Sequence, residues 1–318
     1  MIRNTTANRY IREKYYDMRP EVLDWERRVR INGGTVSAKT MYIVNKFYKR
    51  INAFDIAQKI KSCCVFVPDD KISAVTPLIN PSSSNFMWCN VLDTDPLAGI
   101  PIPDQLGELD IDLNITGARI RPGNDSGDPL ATFDSGIQPF TDCKLDSMGI
   151  TLYSMSTPVL SSTSDYDAGC TDNNYPSYGN TNVLNITLNG KDQFPDHYTY
   201  FNTSMWNDNW QVEELNHSEI GYFSINRTSL TNLSLYYRGS PDYVHKLVST
   251  YTTLQPTISL PRGTIRFNGR YEYYSAFSRQ SSRWLSFAAV HEGLTGFESN
   301  ILYDTIQRCR QELGGGYL

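Results

Sequence analysis

Three regimes of polar and apolar patterning follow one another along the chain. Residues 1–19 alternate Arg, Asn and Tyr without period, which predicts an extended arm. Pro20 suits the first position of a helix running from Glu21 to Arg30, and Gly33-Gly34 ends it. Ser37 then reads as the N-cap of a second helix. In that helix Met41, Val44, Tyr48 and Ile51 recur at helical spacing, with Lys46, Lys49 and Arg50 largely on the other side. A shorter helix over Asp55 to Lys61 would bury Ile56 and Ile60.

From Cys63 the texture changes to short apolar or alternating runs separated by Gly, Pro, Asn, Asp and Ser. Strands are predicted over 63–67, 109–115, 148–155, 183–188, 220–225, 233–238, 244–250, 264–267 and 284–290. In Leu233-Ser234-Leu235-Tyr236-Tyr237-Arg238, positions 233, 235 and 237 share one face and 234, 236 and 238 the other. Arg238-Gly239-Ser240-Pro241 reads as a turn, and the polar stretch 161–182 as a surface loop. The third regime is a single helix. Thr295 and Glu298 form a capping box ahead of the apolar stripe Leu302, Ile306, Cys309 and Leu313, and Gly314-Gly315-Gly316 supplies the stop.

Many strands with no interleaved helices argue against a parallel α/β sheet. They predict a mainly β protein, an antiparallel sandwich with short N-terminal helices and one C-terminal helix. The expected organisation is an arm over 1–20, a helical attachment segment over 21–62, and a sandwich over 63–318 on which helix 296–313 packs. With 318 residues and 21 Tyr, 13 Phe and 5 Trp, the chain has ample burial potential, which excludes disorder. No apolar run approaches the roughly 18 residues of a membrane span, and the first 20 residues lack the apolar centre of a secretory signal.

Charge is unevenly spread. Residues 1–62 carry 14 Lys/Arg against 6 Asp/Glu, a net of +8, so the remainder carries −13 to give the overall −5. Such asymmetry marks a contact end and a solvated body. The basic end is interrupted by Glu13, Asp17, Glu21, Asp24 and Glu26, so docking to protein is preferred to nucleic acid, with Arg3, Arg9, Arg12, Arg19, Arg27 and Arg28 as candidate assembly contacts.

The six cysteines include no CxxC, and adjacent Cys63 and Cys64 point oppositely on a strand, so buried reduced thiols are expected rather than a zinc cluster. Eight Asn-x-Ser/Thr sequons, Asn226 among them, read as chance in an Asn/Ser/Thr-rich chain. His197, His217, His245 and His291 sit in no recognised motif, and no Gly-x-Ser-x-Gly elbow, Walker loop or dinucleotide glycine pattern occurs. His291-Glu292 reads as a turn, and His245 as a structural strand residue.

Two acidic loops, Asn124-Asp125-Ser-Gly-Asp128 and Asp165-Tyr-Asp167 with Asp172, offer oxygens for calcium. Neither has EF-hand spacing, so a solvated loop is preferred and no cofactor or metal is expected. Sugar binding needs aromatic platforms beside amides and carboxylates. Trp206-Asn207-Asp208-Asn209-Trp210 has that composition, Tyr175-Pro-Ser-Tyr178 is similar, and Arg270-Tyr-Glu-Tyr-Tyr274 is a third cluster.

Four stretches, 28–37, 132–139, 148–155 and 287–295, together with the helix from Leu302 onward, resemble in order the virion proteins of tailed bacteriophages that carry a concanavalin A-like, laminin-G-like jelly roll. The likeness runs from about residue 23 to 314. It implies a tail, collar or fibre component displaying a lectin-like sandwich, and it transfers no ligand site. Glu108-Leu-Asp110-Ile-Asp112 is also similar to the E-x-D-x-E strand of retaining endo-glucanases built on that jelly roll. The last carboxylate is one methylene short, however, and a solvated strand face is the preferred reading.

The expectation is a non-enzymatic virion structural protein, made in the host cytoplasm. Its partners would be other virion proteins, further copies of itself and, in a second reading, host surface glycans, with no nucleic acid and no membrane insertion. A polysaccharide hydrolase is the third class.

Overall fold

The computed structural model describes residues 17–79, 88, 111–120, 132–156, 167–171, 183–190, 198–203, 210–212, 220–239, 246–252, 260–261, 263–268 and 283–315. The chain opens with helices α1 (Pro20–Ile31), α2 (Ala38–Ala53) and α3 (Ile56–Lys59). Strand β1 (Ile60–Val65) and the short helix α4 (Lys71–Val75) follow. Then come β2 (Ile111–Asn114), β3 (Gly117–Ile120), β4 (Phe133–Asp134), α5 (Pro139–Asp142), β5 (Met148–Ser154) and β6 (Ala168–Thr171). The remaining strands are β7 (Val183–Gly190), β8 (Tyr198–Thr203), β9 (Trp210–Val212), β10 (Gly221–Arg227), β11 (Asn232–Gly239), β12 (Lys246–Thr252), β13 (Arg266–Phe267) and β14 (Leu285–His291), and α6 (Gly296–Leu313) comes last.

Among the described residues the strands form two sheets, and every pairing is antiparallel. The larger runs β12-β11-β10-β5-β14-β3-β2, with β1 also on β14; the smaller runs β4-β13-β6-β7-β8-β9. The chain is thus the mainly β, two-sheet sandwich expected, with N-terminal helices and one C-terminal helix. One core lies between the sheets, where Ile150, Leu152, Phe223, Ile225 and Leu235 meet Phe133, Ala168, Cys170 and Phe267. A second core lies on the other face of the large sheet, where Tyr153, Tyr222, Phe287 and Ala289 meet Trp25, Phe47, Leu302 and Ile306. The layers are therefore helices, large sheet, small sheet.

The period-2 geometry of strands sorts neighbouring residues between these cores. Cys64 and Phe66 enter the inter-sheet core, while Cys63, Val65 and Val67 enter the helix-side core. Leu233, Leu235 and Tyr237 likewise face the small sheet, and Tyr236 packs toward the helices. A sheet clad on both faces explains why β5, β10 and β14 carry almost no charge.

Local chemistry sets the helix ends. The Ser37 side chain accepts from Thr40 N, and Gly33 at φ +86° lets the chain leave α1. Thr295 and Glu298 form the reciprocal capping box of α6, and Gly314 at φ +104° ends that helix. Asp69 and Asp70 bind Ser37 N and Thr35 N, tying the α1–α2 connection to the chain after β1. Trp25 Nε1 donates to Thr76 O over 2.9 Å in the same region.

Several expectations change. The helix over Asp55 to Lys61 is only α3, because Asp55 adopts a left-handed conformation and Ile60 is already in β1. The polar stretch 161–182 contains β6, whose Ala168 and Cys170 are buried against the opposite sheet. Its small residues hid the strand from hydropathy. The helices over 21–62 share their core with β1, β5, β14 and α6, so the boundary drawn at residue 62 cuts through β1. Of the arm, residues 1–16 lie outside the described residues.

Leu302 is fully buried beneath α6, so Leu302→Ala should cost about 2–5 kcal/mol in urea unfolding. Loss of the cap in Thr295→Ala should cost about 1 kcal/mol. A reversed order of the two midpoints would contradict the packing described.

Candidate functional site

The face of the large sheet beneath α6 carries the densest polar chemistry among the described residues. Register aligns three rows across β10, β5 and β14: Tyr222, Tyr153 and Phe287; Ser224, Thr151 and Ala289; Asn226, Gly149 and His291. Gly149 leaves room for the imidazole, since a Cβ there would stand 2.3 Å from His291 Cε1.

The lower rows join in one hydrogen-bonded chain. Asn226 Nδ2 donates to Ser224 Oγ over 2.9 Å, and Ser224 Oγ lies 2.7 Å from Thr151 Oγ1. Thr151 Oγ1 lies 2.7 Å from His291 Nε2, and His291 Nδ1 lies 2.7 Å from Glu292 O. A carbonyl only accepts, so Nδ1 carries the proton and Nε2 accepts from Thr151. Leu294 N donates to Asn226 Oδ1 over 2.9 Å, which fixes the amide orientation and hence the direction of every hydroxyl.

Thr151 beside His291 has the spacing of a nucleophile with its base. Both are fully buried, however, as is Ser224, with the connection to α6 closing over them. No substrate reaches them, and the array is structural. Burial pushes His291 down to about 4, and nearby Lys59 adds to that, against the hydrogen bond to Glu292 O. The connection into α6 is bound from several sides. Gly293 N donates to Ser147 Oγ, and Glu292 N to Lys59 O. Burial alone would raise the Glu292 carboxyl, but Lys61 and Lys144 outweigh it and hold it below the usual range.

A second buried polar cluster joins the sheets at one end. Arg283, just before β14, donates through Nε to Asp167 Oδ1 over 2.6 Å, and both side chains are almost fully buried. Arg283 also reaches Ser156 O at the end of β5, and Asn268 Nδ2 donates to Arg283 O. Asp167 is one of the acidic residues that could offer oxygens for calcium in 165–172. Its carboxylate is engaged by Arg283, and the other members of both acidic loops lie outside the described residues. Among the described residues no His, Cys, Asp and Glu groups are placed to hold a metal ion.

The sequence candidates scatter. Trp206, Asn207, Asp208 and Asn209, Tyr175 and Tyr178, and the 270–274 cluster lie outside the described residues. Trp210 opens β9, the edge strand of the small sheet, where it is paired with Phe201 of β8. Of the arginines, Arg3, Arg9 and Arg12 lie outside the described residues. Arg19 is the residue before α1, and its N–H donates to Asn45 Oδ1. Arg27 is exposed and paired with Asp24. Arg28 is turned inward: it is 3% exposed and binds Asp24, Pro77 O and Leu78 O, so it holds its own fold together.

Asp112 of the three-carboxylate strand is paired with Arg119 across the β2–β3 hairpin at 2.9 Å, while Glu108 and Asp110 lie outside the described residues. Burial pushes the thiols of Cys63, Cys143 and Cys309 up to about 12, which leaves them unreactive. Asn226 is buried within the polar chain, so that sequon is no glycan acceptor.

No family model matches the chain, and no curated protein matches it. Among solved structures, a mutant GH54 α-L-arabinofuranosidase soaked with 4-nitrophenyl α-L-arabinofuranoside aligns at a TM-score of 0.38 and 5% identity. That alignment covers 52% of this chain and 36% of the other, so the chain spans about a third of the arabinofuranosidase. The VIP36 exoplasmic/lumenal domain in its Ca2+-bound form aligns at a TM-score of 0.34 and 12% identity, over 65% of this chain and 90% of the other. The fold assignment rests on the strand pairing itself.

The polar chain gives a signed pH dependence. Between the ordinary histidine value near 6.5 and about 4, the unfolded chain takes up a proton that folded His291 refuses. Stability is therefore full above pH 6.5 and falls as pH drops to about 4, by roughly 3 kcal/mol. Glu292 and Glu298, held low by their lysines, add losses only at more acidic pH. Urea midpoints at pH 7, 5.5 and 4 check this, and His291→Gln should flatten the upper part of the curve. Gly149→Ala should cost about 1–3 kcal/mol by displacing the imidazole, read from the same urea curves.

Proposed function

We propose that the chain is a non-enzymatic structural component of a tailed-bacteriophage particle, in its tail, collar or fibre apparatus. It is held to neighbouring subunits by its basic N-terminal arm and displays a lectin-like sandwich. The observation that carries this reading is the anchorage of the arm's root. Asn45 of α2 donates to Asp17 O and accepts from Arg19 N, and Lys49 pairs with Asp17. The described chain thus enters the helical layer at Asp17, and the large sheet lies between that layer and the small sheet. On this reading the helical layer serves attachment and the sandwich serves display.

The segments of the virion-protein resemblance support the same reading. The 148–155 and 287–295 stretches contain β5 and β14, paired in the middle of the large sheet. The 28–37 stretch is the α1–α2 joint, and 132–139 covers β4 and its exit. These are framework positions, which suits a shared architecture more than a shared ligand.

Removing residues 1–16, which keeps the bonds of Asp17 and Arg19 to Asn45 and Lys49, should leave a soluble folded body that fails to enter particles. Normal incorporation in a complementation assay would overturn the attachment role.

The second reading, a receptor-binding lectin for host surface polysaccharide, draws on the position of Trp210 at the sheet edge. Glycan-array binding that disappears in Trp206→Ala and Trp210→Ala would favour it over pure scaffolding. Hydrolysis is the weakest class, because Asp112 is paired with Arg119 and the polar chain around His291 is sealed.

A further inference from the structure

Every acidic side chain of α6 is tied to a base outside the helix. Glu298 pairs with Lys59 at the end of α3 over 2.6 Å, Asp304 with Arg238 of β11 over 3.3 Å, and Glu312 with Lys46 of α2. In the connection ahead of the helix, Glu292 pairs with Lys61 of β1 over 3.0 Å and with Lys144 over 3.3 Å. The C-terminal element gives the acid each time, and the body gives the base. Acid therefore weakens all of these ties in the same direction. It would leave Arg308 and Arg310 as the helix's only charges, against a body that keeps Lys46, Lys59 and Arg238.

Partly exposed ion pairs contribute little singly, so the first step must come from a buried group, and His291 supplies it. Its hydrogen-bonded chain lies wholly on the helix side of the large sheet. Thr151, Ser224 and His291 alternate with inter-sheet residues on the same strand faces as Tyr153, Tyr222 and Ala289, which enter the helix-side core. Uptake of a proton at Nε2 would turn that nitrogen from acceptor to donor. Thr151 and Ser224 would then have to reverse their hydroxyls against the amide that Leu294 N holds in place. The charged groups around the joint are Lys59 of α3, Lys61 of β1, Lys144 ahead of β5, Glu292, and Glu298 of α6. From β10, Arg227 follows Asn226 on the alternate face of that strand. Three bases against two acids make the joint a poor place for a further cation.

We propose that the β14–α6 joint is an acid-released latch: on acidification α6 and the helices packed with it lift from the large sheet while the two sheets stay paired. His291 opens the latch and the carboxylates follow. Burial holds the imidazole down at about 4 against 6.5 in the open chain, so the open form gains its proton first as pH falls through 6.5 toward about 4. Glu292 and Glu298 are held below 4.5 by their lysines, against the effect of burial, and release those lysines at lower pH still. The sandwich's own buried ion pair, Arg283 with Asp167, sits at the end of the sheets and takes no part in this joint.

Labelling of the full chain with dithiodipyridine, a disulfide that reacts with thiols in acid, tests the latch. Buried Cys309 of α6 reports on the helical cover, and buried Cys170 of β6 on the inter-sheet core. Rates are normalised to a cysteine peptide at each pH. Cys309 labelling should then rise roughly 20-fold between pH 7 and pH 5, the ratio for a group at about 4 closed and 6.5 open, with Cys170 unchanged. Equal rises at both thiols, a lead by Cys170, or no rise at Cys309 would overturn the proposal. In His291→Gln the rise above pH 5 should vanish, and a variant that keeps it removes His291 as the trigger and overturns the latch as drawn. Proton NMR of the His291 ring in the native chain needs no variant. The ring should stay neutral at pH 5 and charge only toward about 4, whereas titration near 6.5 sinks the mechanism.

Discussion

A sheet with no wet face is the constraint on which this molecule depends. The large sheet packs the small sheet on one side and the helices on the other, so every polar side chain on β5, β10 and β14 must find its partner inside. The chain from Asn226 through Ser224 and Thr151 to His291 meets that demand. Each hydroxyl has one direction only, because Leu294 N–H holds the Asn226 amide at one end and Glu292 O holds the imidazole at the other. The same bonds set where β14 stops and α6 begins. Satisfying the sheet and placing the C-terminal helix are thus one event.

That coupling also limits what the buried groups can do. A histidine against a threonine hydroxyl would suggest catalysis on an open surface, but here burial removes both access and the proton. The buried array therefore offers a partner no group to bind.

Much of the architecture was legible in the sequence because it rests on local rules. The Ser37 cap, the Thr295–Glu298 box, the Gly314 stop and the opposite facing of Cys63 and Cys64 all follow from spacing alone. Elements set by tertiary context were not. β6 is built from Ala, Gly, Cys and Thr, whose small side chains give no periodic signal, and α3 is short because left-handed Asp55 precedes it and Ile60 already pairs in β1. The role of His291 was hidden for another reason. Its partners come from two other strands and meet only through register, and the needed space comes from Gly149, far upstream in the chain. Arg28 shows the limit of charge counting, since a cation at the basic end is spent on two carbonyls of its own chain.

The paired cysteines of β1 have one more consequence. Cys63 and Cys64 are adjacent in the chain, yet their sulfurs sit in different compartments, one under the helices and one between the sheets. A thiol-reactive reagent can meet the first only when the helical cover lifts, and the second only when the two sheets part. Two neighbouring atoms of one strand therefore act as independent gauges of how each half of the molecule comes open.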